Sequence, residues 1–193
     1  MGNVILEYVP DYFLTKFTDN ESVANLLKEE IFYHPTWLQL DQGLVTEEEF
    51  FEEIKSRIPD TYHDLAYQVL HQWYHHFDEN LEMLEIVKKL KQKGYQLVLC
   101  SNVAKTFYLY KDEKEAFRYF DEFVISADIN IIKPHLGIFE YLLETYQLDA
   151  SDCYFIDDSL DNVRAAQTLG IDGYWYNGNV KLLEHVFKEK GIL

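Results

Sequence analysis

Asp157 and Asp158 stand side by side at the end of the apolar run CYFIDD. Two adjacent carboxylates repel and raise one another's pKa unless something cationic holds them. Two other runs end in groups that carry chemistry. YQLVLCSN closes on Ser101 and Asn102, and EFVISAD is followed by Lys133 and Pro134. The hydroxyl and the ammonium suit phosphate oxygens, and the carboxylate pair suits Mg²⁺, a hard cation that takes oxygen ligands and keeps several waters. Each residue alone has a plain structural reading. A serine after a strand caps a helix, a lysine before proline lies on the surface, and two aspartates complement a helix dipole. At three successive strand ends, in this order, they point to one shared site.

The elements that must position these groups fall into two styles. From Asp11 to Phe77 the chain reads as helix throughout. SVANLLKEEIFY and TYHDLAYQVLHQWYHHF have helical periodicity. TEEEFFEEIKSRI opens on a capping box, Thr46 with Glu49 three residues on. From Asn80 onward helices and strands alternate. A helix runs from a capping Asn80 to a terminating Gly94. YQLVLCSN, EFVISAD, CYFIDD and GYWYN are strands. AKTFYLYKDEKEAFRYF, HLGIFEYLLETYQL, NVRAAQTLG and KLLEHVFKEKG are helices. Such alternation implies βαβ units and a parallel sheet, whose ligands bind outside the carboxyl ends of the strands.

The chain has 193 residues, 48% of them hydrophobic and 16% aromatic, which is enough for one domain carrying a sizeable insertion. The net charge of −17 argues against nucleic acid and against an anionic membrane surface as partners. Cys100 and Cys153 are too few for a disulfide framework and fit free thiols in a reducing cytoplasm. No apolar run reaches a membrane-spanning length, and the N-terminus does not read as a signal peptide.

On VLCSN, IKPHLGIFEYLL and FIDDSLDNVRAAQTLGI the chain resembles the haloacid dehalogenase superfamily of phosphohydrolases, whose second, third and fourth motifs these segments match. Receiver domains also combine an acidic pair, a hydroxyl and a lysine, but with the acidic pair first and the lysine last. The resemblance implies an α/β fold: a three-layer, Rossmann-like parallel sheet formed by residues 1–10 and 78–193, with a small helical cap over 11–77. It implies Mg²⁺-dependent hydrolysis of a small phosphate monoester, a sugar phosphate or a nucleotide. By the same resemblance Ser101, helped by backbone N–H groups near Asn102, holds the phosphoryl group. Lys133 balances charge, and Asp157 and Asp158 hold the metal. His34 and Asp41, in a predicted break between cap helices, become candidate specificity contacts.

The family's first motif is an apolar strand ending in a nucleophilic aspartate, FDxGNVL in near relatives. Gly2-Asn3-Val4 matches only its tail. The nucleophile would fall one residue before Met1, and the usual general acid falls on Gly2. Impaired turnover is therefore expected, from an N-terminal truncation, a start codon placed too late, or a true pseudoenzyme. A lesser alternative has NVILEY filling the central strand with Glu7 at its tip. Two further readings stay open: a binding or regulatory protein without turnover, and a dehalogenase-type hydrolase whose cap cation would be Arg57. His71 and His75 have metal-binding spacing, but the helical zinc-protease pattern fails. Trp37, Trp73, Tyr74 and Phe77 read as core or as pocket lining.

Overall fold

A computed structural model describes residues 1–193. The amino-terminal residues fold back on themselves, with the Met1 carbonyl accepting N–H bonds from Val4, Ile5 and Leu6. A short strand β1 (Leu6–Glu7) follows and pairs antiparallel with β2 (Asp78–Glu79). Between them the chain is helical: α1 (Pro10–Leu14), α2 (Glu21–Leu27), α3 (Thr36–Asp41), α4 (Glu47–Lys55) and α5 (His63–Gln72). Asn20 caps α2 by accepting the Ser22 and Val23 N–H groups, and the Thr46–Glu49 capping box of α4 is fully formed.

The remainder alternates as expected: α6 (Leu81–Gln92), β3 (Val98–Ser101), α7 (Phe107–Tyr110), β4 (Glu122–Ile125), α8 (Ser126–Ile129), α9 (Leu136–Tyr146), β5 (Tyr154–Asp157), α10 (Leu160–Thr168), β6 (Asp172–Trp175) and α11 (Val180–Glu189). Asn80 caps α6 through the Met83 N–H. β3 pairs parallel with β4, placing Ser101 opposite Ile125. β5 pairs parallel with β6, placing Asp157 opposite Trp175. The fold is the expected α/β arrangement of parallel strands and helices.

The sheet is interrupted where the family's first-motif strand would lie, as the missing motif implies, with no backbone ladder joining β3 to β5. Two expectations need correction. NVILEY does not supply a strand between β3 and β5: β1 turns aside to pair with β2, so Glu7 is exposed and stands at no strand tip beside Ser101. The long helix expected over AKTFYLYKDEKEAFRYF breaks into α7 and two 3₁₀ turns, Lys111–Glu113 and Ala116–Tyr119. Tertiary bonds compete with helix there. The Ala116 N–H donates to Glu79 at 2.8 Å, and the Lys114 ammonium donates to the Phe77 carbonyl at 2.6 Å. Burial of Phe107, Tyr110 and Phe117 then outweighs local propensity. Likewise SVANLLKEEIFY ends in a wider π turn, Lys28–Phe32.

One apolar cluster runs through both styles of structure. It joins Phe13, Phe32, Phe50 and Trp73 of the helical segment to Leu84, Leu99, Phe107 and Ile125 beyond it. Packing therefore shows no break at the 77/78 boundary. Trp73 is the hub, with Phe13, Trp37, Phe32 and Phe77 rings 5.0–5.5 Å away. A smaller cluster, including Val124, Ile138, Phe139 and Ala166, packs α9 and α10 onto the other face.

Candidate active site

Parallel strands β3 and β5 both end at the same edge, and the side chains expected there do converge. Ser101, the last residue of β3, is buried. Its neighbour Asn102 uses its side chain structurally. The amide donates to the Lys133 carbonyl at 2.9 Å and accepts the Lys133 N–H at 2.8 Å. That two-way pairing pins the loop carrying Lys133 to the end of β3.

Lys133 is only 5% exposed, so its ammonium must be paired. It donates to the Cys100 carbonyl and to Asp157 Oδ2, both at 2.7 Å. The other Asp157 oxygen accepts the Ser159 N–H at 2.8 Å and the Asn162 amide at 2.9 Å. Burial pushes the Asp157 carboxyl up, but Lys133, the nearby amino terminus and the Ser159 N–H more than offset it, and its pKa lies below the ordinary aspartate value. The cation that the paired aspartates call for is therefore, at Asp157, the Lys133 ammonium.

Asp158 is exposed at the cleft rim. One of its oxygens accepts the Asn3 amide at 2.9 Å, and its carbonyl accepts the Trp175 indole N–H at 2.9 Å. Asn3 reaches it from a left-handed backbone conformation, φ 57°. Asn3 and Asn162 escaped the sequence reading. For Asn162 a signal existed, since it sits five residues after Asp157 in the first turns of the helix that follows. For Asn3 none did, because a contact across 155 residues leaves no local trace.

A cleft of about 360 Å³ opens over this edge. Ser101, Asn102, Lys133, Asp157 and Asp158 line it together with Asp41 and the aromatic side chains of the helical segment. Asp41, at the end of α3, accepts the Ala104 N–H at 3.1 Å. Burial raises its pKa to about 7, against the opposing pull of hydrogen bonds from Ala104 and Trp37. The Asp41 carbonyl accepts the Ser126 hydroxyl, whose oxygen in turn accepts the Val103 N–H at 2.9 Å. The helical segment is thus tied to the loop that follows Ser101.

The structure places the other candidates elsewhere. His34 is buried away from the cleft lining, accepts the Thr36 N–H at 3.2 Å and lies 3.8 Å from Glu53. Its ring packs 5.4 Å from that of Phe50 instead of lining the cleft. Trp37, Trp73 and Phe77 are both core and cleft lining, whereas Tyr74 stacks on Tyr110 outside it. Arg57 pairs with Glu30, remote from the cleft. His71 stacks on Tyr67 at 4.0 Å, and His75 faces Glu113 at 3.4 Å.

Nowhere do three or more His, Cys, Asp or Glu side chains converge as a metal cage. At the strand ends the donor set is the Asp157 and Asp158 carboxylates, with no His or Cys among the cleft lining. That fits Mg²⁺, which is held by one or two carboxylates together with substrate phosphate and water, and does not fit zinc.

Known proteins agree with this architecture. The family model for haloacid dehalogenase-like hydrolases matches residues 14–170. A sesquiterpene phosphatase of Aspergillus oryzae is 26% identical over 139 residues, covering 72% of this chain and 70% of that one. A phosphoglycolate phosphatase of Aliivibrio fischeri is 24% identical over 127 residues, 65% of this chain and 53% of that protein. Some relatives are far longer: the chain spans 28% of a drimenol cyclase of Aspergillus calidoustus. A Bacteroides thetaiotaomicron enzyme of the same family, solved with magnesium and inorganic phosphate, superposes with a TM-score of 0.71 at 23% identity, covering 93% of this chain and 92% of that one. A predicted hydrolase from Porphyromonas gingivalis gives 0.72 at 20% identity, with 98% and 94% covered. At these identities the structural likeness is one of fold.

Proposed function

Since the chain belongs to the haloacid dehalogenase-like hydrolases, we propose that its cleft is a Mg²⁺-dependent site for a small phosphate monoester, capped by residues 11–77. The observation that carries this reading is the buried Lys133 ammonium, shared between the end of β3 and Asp157 beside Ser101. It is support of the kind phosphoryl transfer needs, where positioning and neutralisation of charge do most of the catalysis.

Ser101 and the N–H groups after it hold phosphoryl oxygens in this reading. Lys133 supplies the fixed positive charge. Asp158, with Asp157, would hold Mg²⁺, and the bound cation adds positive charge where the phosphoryl oxygens gather. Asn162 and Asn3 keep the two carboxylates aimed. Asp41, held toward its protonated form and placed in the cleft, faces the leaving group as a specificity contact.

Covalent transfer also needs an attacking group. The cleft's carboxylates are Asp41, Glu47, Asp157 and Asp158, and none stands on a strand between β3 and β5. Weak turnover by these 193 residues alone is part of the proposal, and binding without turnover is the second reading it leaves. A dehalogenase reading has less support, because Arg57, its candidate cation, is bound by Glu30 outside the cleft. The names of the phosphatase relatives from Aspergillus oryzae and Aliivibrio fischeri support phosphate monoesters as the substrate class.

Calorimetric titration of inorganic phosphate, with and without Mg²⁺, tests the site. Binding should strengthen with Mg²⁺ and fall at least tenfold in Ser101→Ala and in Asp158→Asn. Phosphate affinity indifferent to both Mg²⁺ and these substitutions would refute the assignment.

A further inference from the structure

Resting on the phosphoryl reading above, we infer that the substrate is the phosphate monoester of a hydrophobic alcohol or phenol, with an uncharged ring or short branched chain as its leaving group. Two independent features of the cleft carry this. The first is its wall. Beyond the phosphoryl cradle the lining is Phe32, Trp37, Leu40, Trp73 and Phe77 from the helical segment, with Tyr8 beside β1. Four of these, Phe32, Leu40, Trp73 and Phe77, are less than a tenth exposed, so the wall is closely packed. Apolar surface placed against it is removed from water with a favourable free energy.

The second feature is charge. Lys133 is the only cationic side chain among the lining residues, and it is committed to Cys100 and Asp157; the Met1 amino group, which also lines the cleft, has its pKa lowered to about 6, chiefly by burial. The helical segment contributes just two charged groups, Asp41 and Glu47. A leaving group carrying a carboxylate or a second phosphate would find no positive partner and would face two acidic side chains. A sugar would bring several hydroxyls against the aromatic and aliphatic side chains that the helical segment contributes. Size adds a bound. At about 30 Å³ per water-sized group, a 360 Å³ cleft has room for on the order of ten such groups, enough for the phosphoryl group and one ring or a five-carbon chain.

Phosphonates test this without requiring turnover. Methylphosphonate, phenylphosphonate and phosphonoacetate are titrated calorimetrically in the presence of Mg²⁺. Phenylphosphonate is expected to bind about tenfold tighter than methylphosphonate, with a more negative heat-capacity change, and phosphonoacetate weaker than either. Trp37→Ala should lower phenylphosphonate affinity severalfold. Should that variant lose its native circular dichroism, Leu40→Asn serves instead, and the heat-capacity comparison on the parent chain stands by itself. Phosphonoacetate binding as tightly as phenylphosphonate, or phenylphosphonate no tighter than methylphosphonate, would overturn the inference while leaving the phosphoryl cradle intact. Failure of all three, and of inorganic phosphate, to bind would remove the cradle reading and this inference with it.

Discussion

The Lys133–Asp157 pair is the residue on which most else turns. Both side chains are at most 5% exposed, and Asp157 accepts three hydrogen bonds, from Lys133, Ser159 and Asn162. Removing one partner strands the other's charge in a dry interior, which typically costs about 3–5 kcal/mol. Lys133→Ala should therefore lower the urea midpoint steeply, and Lys133→Ala with Asp157→Asn should recover part of the loss. Additive losses would show that the two groups are not coupled. The pair also sets a pH limb. The Asp157 pKa is depressed in the folded chain, so its contribution is present above the ordinary aspartate pKa and is lost as pH falls through the folded value. The Asp157→Asn variant should accordingly lose less stability than the parent as pH falls below about 4, measured by urea unfolding.

At the scale of elements, the seam between α3 and α8 decides whether the helical segment sits correctly over the strand ends. Gly43, with φ +72°, lies so close to α8 that an added Cβ would stand 2.4 Å from the Ala127 carbonyl oxygen. No flexible side chain is there to give way. The Asn130 amide donates to the Gln42 and Gly43 carbonyls at 3.0 and 3.1 Å, and the Gln42 amide donates to the Asn130 carbonyl at 2.8 Å. Gly43→Ala combines strain at a left-handed position with a backbone clash, and should cost roughly 2 kcal/mol or more. Asp41 hangs from the same seam. The substitution should therefore also weaken phenylphosphonate binding, which a titration beside an unfolding curve would show. A stability loss with unchanged affinity would mean that the seam holds the fold but not the cleft.

Over the whole molecule, two parallel strand pairs share one apolar core yet are joined to each other only by side chains and helices. Parallel sheets ordinarily lie covered and continuous, and here the inner edges of β3 and β5 carry no backbone partner. An extended apolar segment of about five residues ending in aspartate, fused ahead of Met1, should pair with those edges. Each side chain it buries is worth roughly 1.5–3 kcal/mol at most. The fusion should raise the urea midpoint and, if the phosphatase reading holds, raise turnover of phenyl phosphate by orders of magnitude, as expected for restoring a covalent nucleophile. The same fusion ending in alanine should stabilise equally without the gain in turnover. An unchanged midpoint in both would show that the edges do not accept a strand.

Much of this was legible in residue order. Strand ends are marked by apolar runs stopping at polar residues, and helix starts by Thr46 and Asn80, because periodicity and capping are local physics. Ser101, Lys133, Asp157 and Asp158 could be grouped in advance, because parallel strands necessarily bring their carboxyl ends to one edge. Distances between remote segments were not legible. Asn3 reaching Asp158, Asn102 clasping Lys133, Asp41 entering the cleft while His34 turns into the core, and β1 leaving the sheet for β2 were each decided by which contacts survive when the whole chain is packed. Sequence alone thus determined the chemical groups and the edge they share. Only the tertiary structure determined what faces them, since charge pairing and burial depend on neighbours that the chain brings together from far away.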